Sequence, residues 1–180
     1  MLLLNAEKFA DAVKQLKSFT ASKDTRPALC GIHMTYEAGA DSLRLEATDS
    51  FMASYVVLPV EQADSVGADL IIKPVDYKPG KGAELVGLDL ENLLIKDGSQ
   101  IVAINQIDGT PYPSLEKIFP DFNNYEYEIS FEAEQLQKLL KASKKDDVLT
   151  FRCRGVKPAE LIRYREEETR TIIAPCKPRG

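Results

Sequence analysis

The side chains best suited to chemistry are few and widely separated in this sequence. The single histidine, His33, has no companion, and the sequence shows no His/carboxylate or Cys/His cluster at ligand spacing, which argues against a metal site. Cys30, Cys153 and Cys176 lie far apart, and we expect them to be reduced thiols on strands. A disulfide between two of them is the alternative. The sequence therefore predicts no metal and no cofactor.

The acidic run Glu166, Glu167 and Glu168 is the place where paired carboxylates would suggest acid–base catalysis. We expect a solvated hairpin tip there instead. The chain shows no glycine-rich phosphate loop, no nucleophile elbow and no metal dyad. We therefore expect a protein that is not an enzyme. An enzyme whose site the sequence does not reveal is a remote alternative.

The composition is that of an ordinary globular protein, with 44% hydrophobic and 28% charged residues. The formal net charge is −5, and it is unevenly spread: residues 126–180 carry 12 Lys/Arg against 10 Asp/Glu, whereas residues 1–125 carry 11 against 18. An acidic body with local basic faces can still bind DNA. We expect a cytoplasmic protein, since we find no signal peptide and no apolar run that reaches the length of a membrane span.

Residues 2–61 and 129–177 show nearly the same pattern: a strand, an amphipathic helix and further strands. The two segments end in similar runs, Val56 and Val57 aligning with Ile172 and Ile173. A third copy, from Ala68 onward, is interrupted by prolines and glycines where a helix is expected, and these nearly forbid one. The pattern predicts an α+β fold of three β-α-β-β-β units, with the middle unit lacking a full helix.

Capping residues, apolar spacing and turn residues predict where the helices and strands lie in the sequence. Asn5 is a helix N-cap, and the helix after it buries Phe9, Val13 and Leu16. A further helix is expected at about residues 133–143, burying Leu136, Leu139 and Leu140. Strands are expected at residues 28–36, 43–47, 52–60, 68–72, 85–88, 93–96 and 101–107, with a hairpin turn at Asp97-Gly98. Asp49 is expected to cap a turn.

Three stretches of the chain resemble the bacterial DNA polymerase III beta subunit, the DNA sliding clamp family. They are residues 26–32 with 43–50, residues 108–120, and residues 172–176. The stretch at 108–120 is similar to that family's linker between its second and third domains. The resemblance implies antiparallel sheets outside, helices on one face toward DNA, and a truncated clamp with three units rather than six. The expected domains are residues 1–110 and 125–180, joined by a linker at 111–124.

The resemblance also implies a pocket in which clamps capture short peptides from partner proteins. The matching positions here are Thr48, Ser50, Phe51, Met52, Pro113, Lys117, Ile118, Ile173, Ala174, Pro175 and Cys176. Phe51 and Met52 depart from the small, basic and aliphatic residues often found in the family, so the preferred peptide can differ. The alternative is that Phe51, Met52, Ile118 and Pro175 simply pack in the core.

The lysines of the two helices are candidates for phosphate contacts with duplex DNA. They are Lys8, Lys14, Lys17, Lys138, Lys141, Lys144 and Lys145. Clamps use weak, sequence-independent phosphate contacts, which permit sliding. The alternative is that these lysines are the solvated face of two amphipathic helices.

The resemblance leads to two hypotheses of function. In the first, the chain is a sliding-clamp-like replication accessory protein that holds DNA polymerase or repair proteins on duplex DNA by peptide capture. It would then be a homo-oligomer, because closing a ring of twelve units takes four chains of three. In the other, the chain is a non-encircling module that binds clamp-targeting peptides or a full-size clamp, as adaptor or competitor. Retention on circular DNA separates the two hypotheses.

Overall fold

The computed structural model describes residues 1–23, 26–64, 67–117, 128–144, 147–153, 157–163 and 169–176. The chain divides into two compact units, unit 1 (Met1–Ile118) and unit 2 (Phe119–Gly180). The division between the two units, after Ile118, lies inside the linker predicted at residues 111–124. The domain boundaries at residues 110 and 125 remain a prediction. In the described part of the chain, no helix has the length and apolar character needed to cross a membrane.

Unit 1 contains one α-helix and nine strands among its described residues. It begins with β1 (Leu2–Asn5) and α1 (Ala6–Lys17). The later strands are β2 (Ile32–Tyr36), β3 (Ser42–Thr48), β4 (Ala53–Pro59), β5 (Gln62–Ala63), β6 (Ala68–Ile72), β7 (Leu85–Asp89), β8 (Leu94–Lys96) and β9 (Ile101–Ala103). Short 3-10 turns occupy Pro27–Cys30 and Leu115–Lys117.

The strands of unit 1 form two antiparallel sheets in which the two repeats exchange strands. The orders are β5-β1-β7-β8-β9 and β4-β3-β2-β6. β1, the first strand of the first repeat, pairs with β7 of the second repeat, while β6, the first strand of the second repeat, pairs with β2 of the first. Each repeat therefore completes the sheet of the other, and neither buries its apolar face alone. The predicted α+β fold with antiparallel sheets is confirmed.

Helix α1 forms where the sequence predicts it and packs against strands of both sheets. The side chain of Asn5 accepts a hydrogen bond from the backbone N–H of Lys8 at 3.0 Å, which satisfies one donor of the first turn. Phe9, Val13 and Leu16 are buried, as predicted from their i, i+4, i+7 spacing. They join a core that includes Leu2, Leu4, Ile32, Met34, Leu43, Leu45 and Leu88.

The second repeat has no helix after its first strand, as the prolines and glycines predicted. Residues 73–84 run irregularly, yet Tyr77 is buried and its ring lies 5.8 Å from that of Phe9. Asp97 fixes this segment: the Tyr77 hydroxyl donates to its Oδ2 at 3.0 Å, and the Gly80 N–H donates to the same oxygen at 2.9 Å. The hydrogen bonds that Asp97 accepts, led by those from Gln100 and Gly80, lower the pKa of its carboxyl.

Two of the predicted strands were placed wrongly. The strand predicted from residue 28 begins at Ile32, because Pro27 opens a 3-10 turn in which the Leu29 N–H bonds the Arg26 carbonyl. The strand predicted over residues 101–107 ends at Ala103. The two-residue strand β5 was not predicted. The hairpin at Asp97-Gly98 is confirmed, with Gly98 at a φ of 79°.

Unit 2 is smaller. Its helix α2 (Ala133–Lys141) precedes the antiparallel strands β10 (Leu149–Arg152), β11 (Ala159–Arg163) and β12 (Thr169–Ile173). Among its described residues, Leu139, Ala159, Leu161 and Ile173 are buried, and Leu136 is partly buried. The prediction that Leu140 is buried was wrong, since its side chain is 57% exposed. Leu139 lies on the helix face that contacts the core, and Leu140, the next residue, lies on a different side of the helix.

Candidate functional site

The turn between β3 and β4 carries four of the predicted peptide-pocket residues. The Thr48 hydroxyl donates to the Met52 carbonyl at 2.7 Å and accepts from the Ser50 N–H at 3.1 Å. The Asp49 carboxylate accepts from the N–H groups of Met52 at 2.8 Å and Phe51 at 2.9 Å, and these bonds lower the pKa of Asp49. The predicted capping role of Asp49 is confirmed. The turn is held in one conformation by its own side chains.

This turn presents apolar side chains to solvent. Phe51 is 94% exposed and Met52 is 53% exposed, so neither packs in the core of unit 1. Ser50 adopts a φ of 79°, which is uncommon for a residue with a side chain. Its hydroxyl accepts from the Arg26 guanidinium at 2.6 Å, which secures this conformation. Exposed large apolar groups on a fixed turn are typical of a binding surface.

A groove lies beside this turn. It has a volume of about 360 Å³ and is lined by residues 26–29 on one side and 110–113 on the other. Arg26 lines the groove and also bonds Ser50, so the groove and the turn adjoin. Pro113 is half-buried in this wall, and the buried Leu115 anchors the chain just beyond it. We call this cavity the groove below.

The remaining predicted pocket residues divide between the end of unit 1 and unit 2. Lys117 is exposed at the end of the 3-10 turn Leu115–Lys117, and Ile118 lies outside the described residues. In unit 2, Ile173 is buried, Ala174 is exposed, and Pro175 and Cys176 are half-buried. A separate cavity of about 470 Å³ lies between α2 and β12, where Ile173 and Ala174 contribute to its lining. The Cys176 N–H bonds the Ser130 carbonyl at 2.8 Å, and all three cysteines are free thiols.

Those of the predicted DNA-contacting lysines that the structure describes are all exposed. Lys8, Lys14 and Lys17 lie on α1, Lys138 and Lys141 lie on α2, Lys144 comes shortly after it, and Lys145 lies outside the described residues. Lys17 is paired with Asp76 at 2.6 Å, and Lys138 with Glu134 at 2.7 Å. These two pairs reduce the positive charge that the helices offer to a phosphate backbone.

His33, which is predicted from the sequence to have no companion, lies in a polar cluster that the sequence did not reveal. The His33 ring lies between two carboxylates, with Nδ1 2.9 Å from Glu46 Oε1 and Nε2 2.8 Å from Asp69 Oδ1. Arg44 Nε donates to the other oxygen of Glu46 at 2.9 Å. The ring of Tyr112 stacks on the imidazole with centroids 4.5 Å apart. The pairing of His33 with Glu46 across β2 and β3 depends on strand register, which the sequence does not display.

The environment of this cluster shifts the pKa values of its members. Burial favours neutral His33, but the hydrogen bonds and charges of Glu46 and Asp69 outweigh burial and raise the pKa of His33. Burial also opposes the charge on Glu46, yet the bonds from His33 and Arg44 lower the pKa of Glu46. Burial, aided by the charge of Glu46, raises the pKa of Tyr112. Within the described residues, no three His, Cys, Asp or Glu side chains are grouped so as to hold a metal ion.

Comparison with solved structures identifies the fold as that of the bacterial sliding clamps. The beta subunit from DNA polymerase of Streptococcus pyogenes matches with a TM-score of 0.80 at 12% sequence identity, over 98% of this chain and 50% of that one. The DNA polymerase sliding clamp from Bacillus subtilis matches with a TM-score of 0.75 at 17% identity, over 97% and 48%.

A third structure, the Helicobacter pylori beta clamp bound to a DNA ligase peptide, matches with a TM-score of 0.67 at 20% identity, over 96% of this chain and 49% of that one. The chain thus spans about half the length of the clamps it matches. No protein-family model and no curated protein sequence matches it. The resemblance predicted from residues 26–32, 43–50, 108–120 and 172–176 is therefore confirmed for the fold.

Proposed function

We propose that this chain is a sliding-clamp-like accessory protein of DNA replication, a processivity factor that tethers a DNA polymerase or repair protein to duplex DNA. It acts by capturing a short peptide of the partner and catalyses no reaction. The observation that carries this proposal is the fixed Thr48–Met52 turn with its exposed Phe51 and Met52 beside the groove.

The chemistry of the groove fits an apolar peptide anchor. Its apolar lining comes from Pro27, Ala28, Leu29, Pro111 and Pro113. Since the Thr48–Met52 turn is held by its own hydrogen bonds, little conformational entropy of the turn is lost when a peptide docks. Lys117, Ile118 and the segment from Ile173 to Cys176 are further proposed peptide contacts.

Peptide binding tests the proposal directly. The probe is the DNA ligase peptide that the Helicobacter pylori clamp binds, labelled with fluorescein and followed by anisotropy. Met52→Asp should weaken binding about 30-fold, the effect of losing one central anchor. Ile101→Asp is the matched control, because Ile101 is also apolar and 68% exposed but lies on β9, in the other sheet. Equal affinities for both variants would remove Met52 and its turn from the proposed peptide site.

The DNA contact and the assembly are proposed on the basis of the helices. The exposed lysines of α1 and α2 would meet the phosphates of a duplex inside a ring of several chains. We expect a homo-oligomer in size-exclusion chromatography with light scattering, and retention of the protein on circular DNA. Lys138→Glu combined with Lys141→Glu should abolish that retention. A monomer that never associates with DNA would contradict this part.

Another candidate function is a non-encircling module that captures clamp-targeting peptides or binds a full-size clamp. The observation that favours it is the engagement of Lys17 and Lys138 with Asp76 and Glu134, which leaves the helix faces less basic. Peptide binding with no retention on circular DNA would support this function over the first.

A further inference from the structure

The His33 cluster stands directly behind one wall of the groove, and the proposed function does not use it. Strand alternation places His33 on the opposite face of β2 from the core residues Ile32 and Met34. There its ring supports Tyr112, which belongs to the 110–113 wall of the groove. The Tyr112 hydroxyl also donates to the Glu46 carbonyl at 3.4 Å. The cluster therefore fixes this wall from the side away from the groove.

The hydrogen-bond geometry defines which form of His33 belongs here. A neutral imidazole has one donor nitrogen and one acceptor nitrogen, so it can satisfy only one of two carboxylates. The imidazolium donates from both nitrogens, and both are within 2.9 Å of a carboxylate oxygen, on Glu46 and on Asp69. The stacked Tyr112 ring also interacts more favourably with a cation than with a neutral ring. Two carboxylate partners at hydrogen-bond distance therefore favour the charged form of His33.

We propose that His33 is a positioning residue for the groove: its imidazolium, held between Glu46 and Asp69, keeps the Tyr112 ring in place as a wall. Loss of the proton releases this wall and weakens peptide binding. The inference rests on the proposed function, because it assumes that the groove takes a peptide. The single histidine thus makes partner capture dependent on pH.

The charged and titratable groups around His33 determine what its deprotonation does. They are Arg44 and Glu46 on β3, Asp69 on β6, and Asp108 and Tyr112 on the segment after β9. Glu46 keeps Arg44 as a cationic partner when His33 becomes neutral. Asp69 is 82% exposed and returns to water. The contact to Tyr112 is therefore the one that weakens, while the sheet stays intact.

The direction of the pH dependence follows from the raised pKa of His33. The stabilisation by charged His33 is fully present below its unfolded value of about 6.5 and is lost as the pH rises through the higher folded value. Peptide affinity should fall over the same range. By linkage, the bound peptide should strengthen proton binding to His33 by the same factor, and so raise the pKa of His33.

Because the chain has one histidine, its imidazole NMR signals can be followed without assignment. We expect the ring signals of Tyr112 to titrate with the same midpoint as His33. The DNA ligase peptide should bind about tenfold more weakly above this midpoint, the effect of losing one charge-assisted hydrogen bond. Asp69→Asn should move both midpoints to lower pH. Asp41→Asn, the same change at another exposed aspartate, should leave them unchanged.

Three results separate this inference from the proposed function. If the NMR ring signals of Tyr112 do not change when His33 loses its proton, the inference is overturned, whether or not the peptide binds. Peptide affinity that is the same on both sides of the midpoint also overturns it. A peptide that binds at no pH, while Tyr112 still titrates with His33, overturns the proposed function and supports the positioning contact.

Discussion

After its first strand, the first repeat of unit 1 forms the helix α1, whereas the second repeat continues from β6 into the irregular segment of residues 73–84. Helix α1 satisfies its backbone internally and buries a stripe that includes Phe9, Val13 and Leu16. The irregular segment buries Tyr77 and depends on side chains of a neighbouring hairpin, above all Asp97.

This difference shows that the repeat tolerates loss of a helix when its strands are interlocked. β6 pairs with β2 and β1 pairs with β7, so both sheets form whether the first strand leads into a helix or into an irregular segment. The irregular segment must still supply an apolar group for the core and partners for its backbone. Tyr77 and Asp97 meet these two requirements.

The largest expected effect comes from truncating the two aromatic side chains that meet in the core. Phe9→Ala should lower the free energy of unfolding by about 4 kcal/mol, because Phe9 is fully buried on a rigid helix and leaves a cavity. Tyr77→Ala should cost about 2 kcal/mol, since an irregular segment can collapse into the space. Urea unfolding measures both. Equal losses would show that the segment is as rigid as α1.

A smaller effect is expected from Asn5 and Asp97, the polar residues whose hydrogen bonds fix α1 and the irregular segment, respectively. Asn5→Ala removes the N-cap of α1 and should cost about 1 kcal/mol in urea unfolding. Asp97→Asn should instead act locally, raising the hydrogen-exchange rate of the Gly80 amide while the exchange of α1 is unchanged. If Asp97→Asn accelerates exchange throughout unit 1, the segment is part of the global folding unit.

The sequence predicts those features that depend on neighbouring residues. Asn5 with the spacing of Phe9, Val13 and Leu16 defines α1, and the prolines and glycines of residues 73–84 exclude a helix in that part of unit 1. The 3-10 turn at Pro27–Cys30 was predicted as a strand, because alternation of residue types cannot distinguish a tight turn before a strand from the strand itself.

The candidate site was only partly predictable, because most of its contacts join distant residues. The Thr48–Met52 turn is local and was found through the sequence resemblance. The groove needs residues 26–29 and 110–113 to meet, and the His33 cluster needs the register of β2 with β3 and β6. Strand register is set by the packing of the whole sheet, so the sequence displays no partner for His33.

The smallest effect on stability, and the sharpest on function, is expected at the pair that joins the two compared segments. Lys17 at the end of α1 contacts Asp76 of the irregular segment at 2.6 Å, and both side chains are exposed. Exposed ion pairs contribute little to folding, so Asp76→Asn should leave the melting temperature within error. The change nevertheless releases Lys17 for a phosphate.

If α1 faces a duplex, Asp76→Asn should strengthen binding to double-stranded DNA and steepen its salt dependence by about one phosphate contact. Fluorescence anisotropy with a labelled duplex at several salt concentrations measures both quantities. Asp41→Asn makes the same change in net charge at a different exposed position and should not steepen the slope. An unchanged slope for Asp76→Asn would mean that the exposed face of α1 does not contact DNA, and the non-encircling module would then be the better account of this chain.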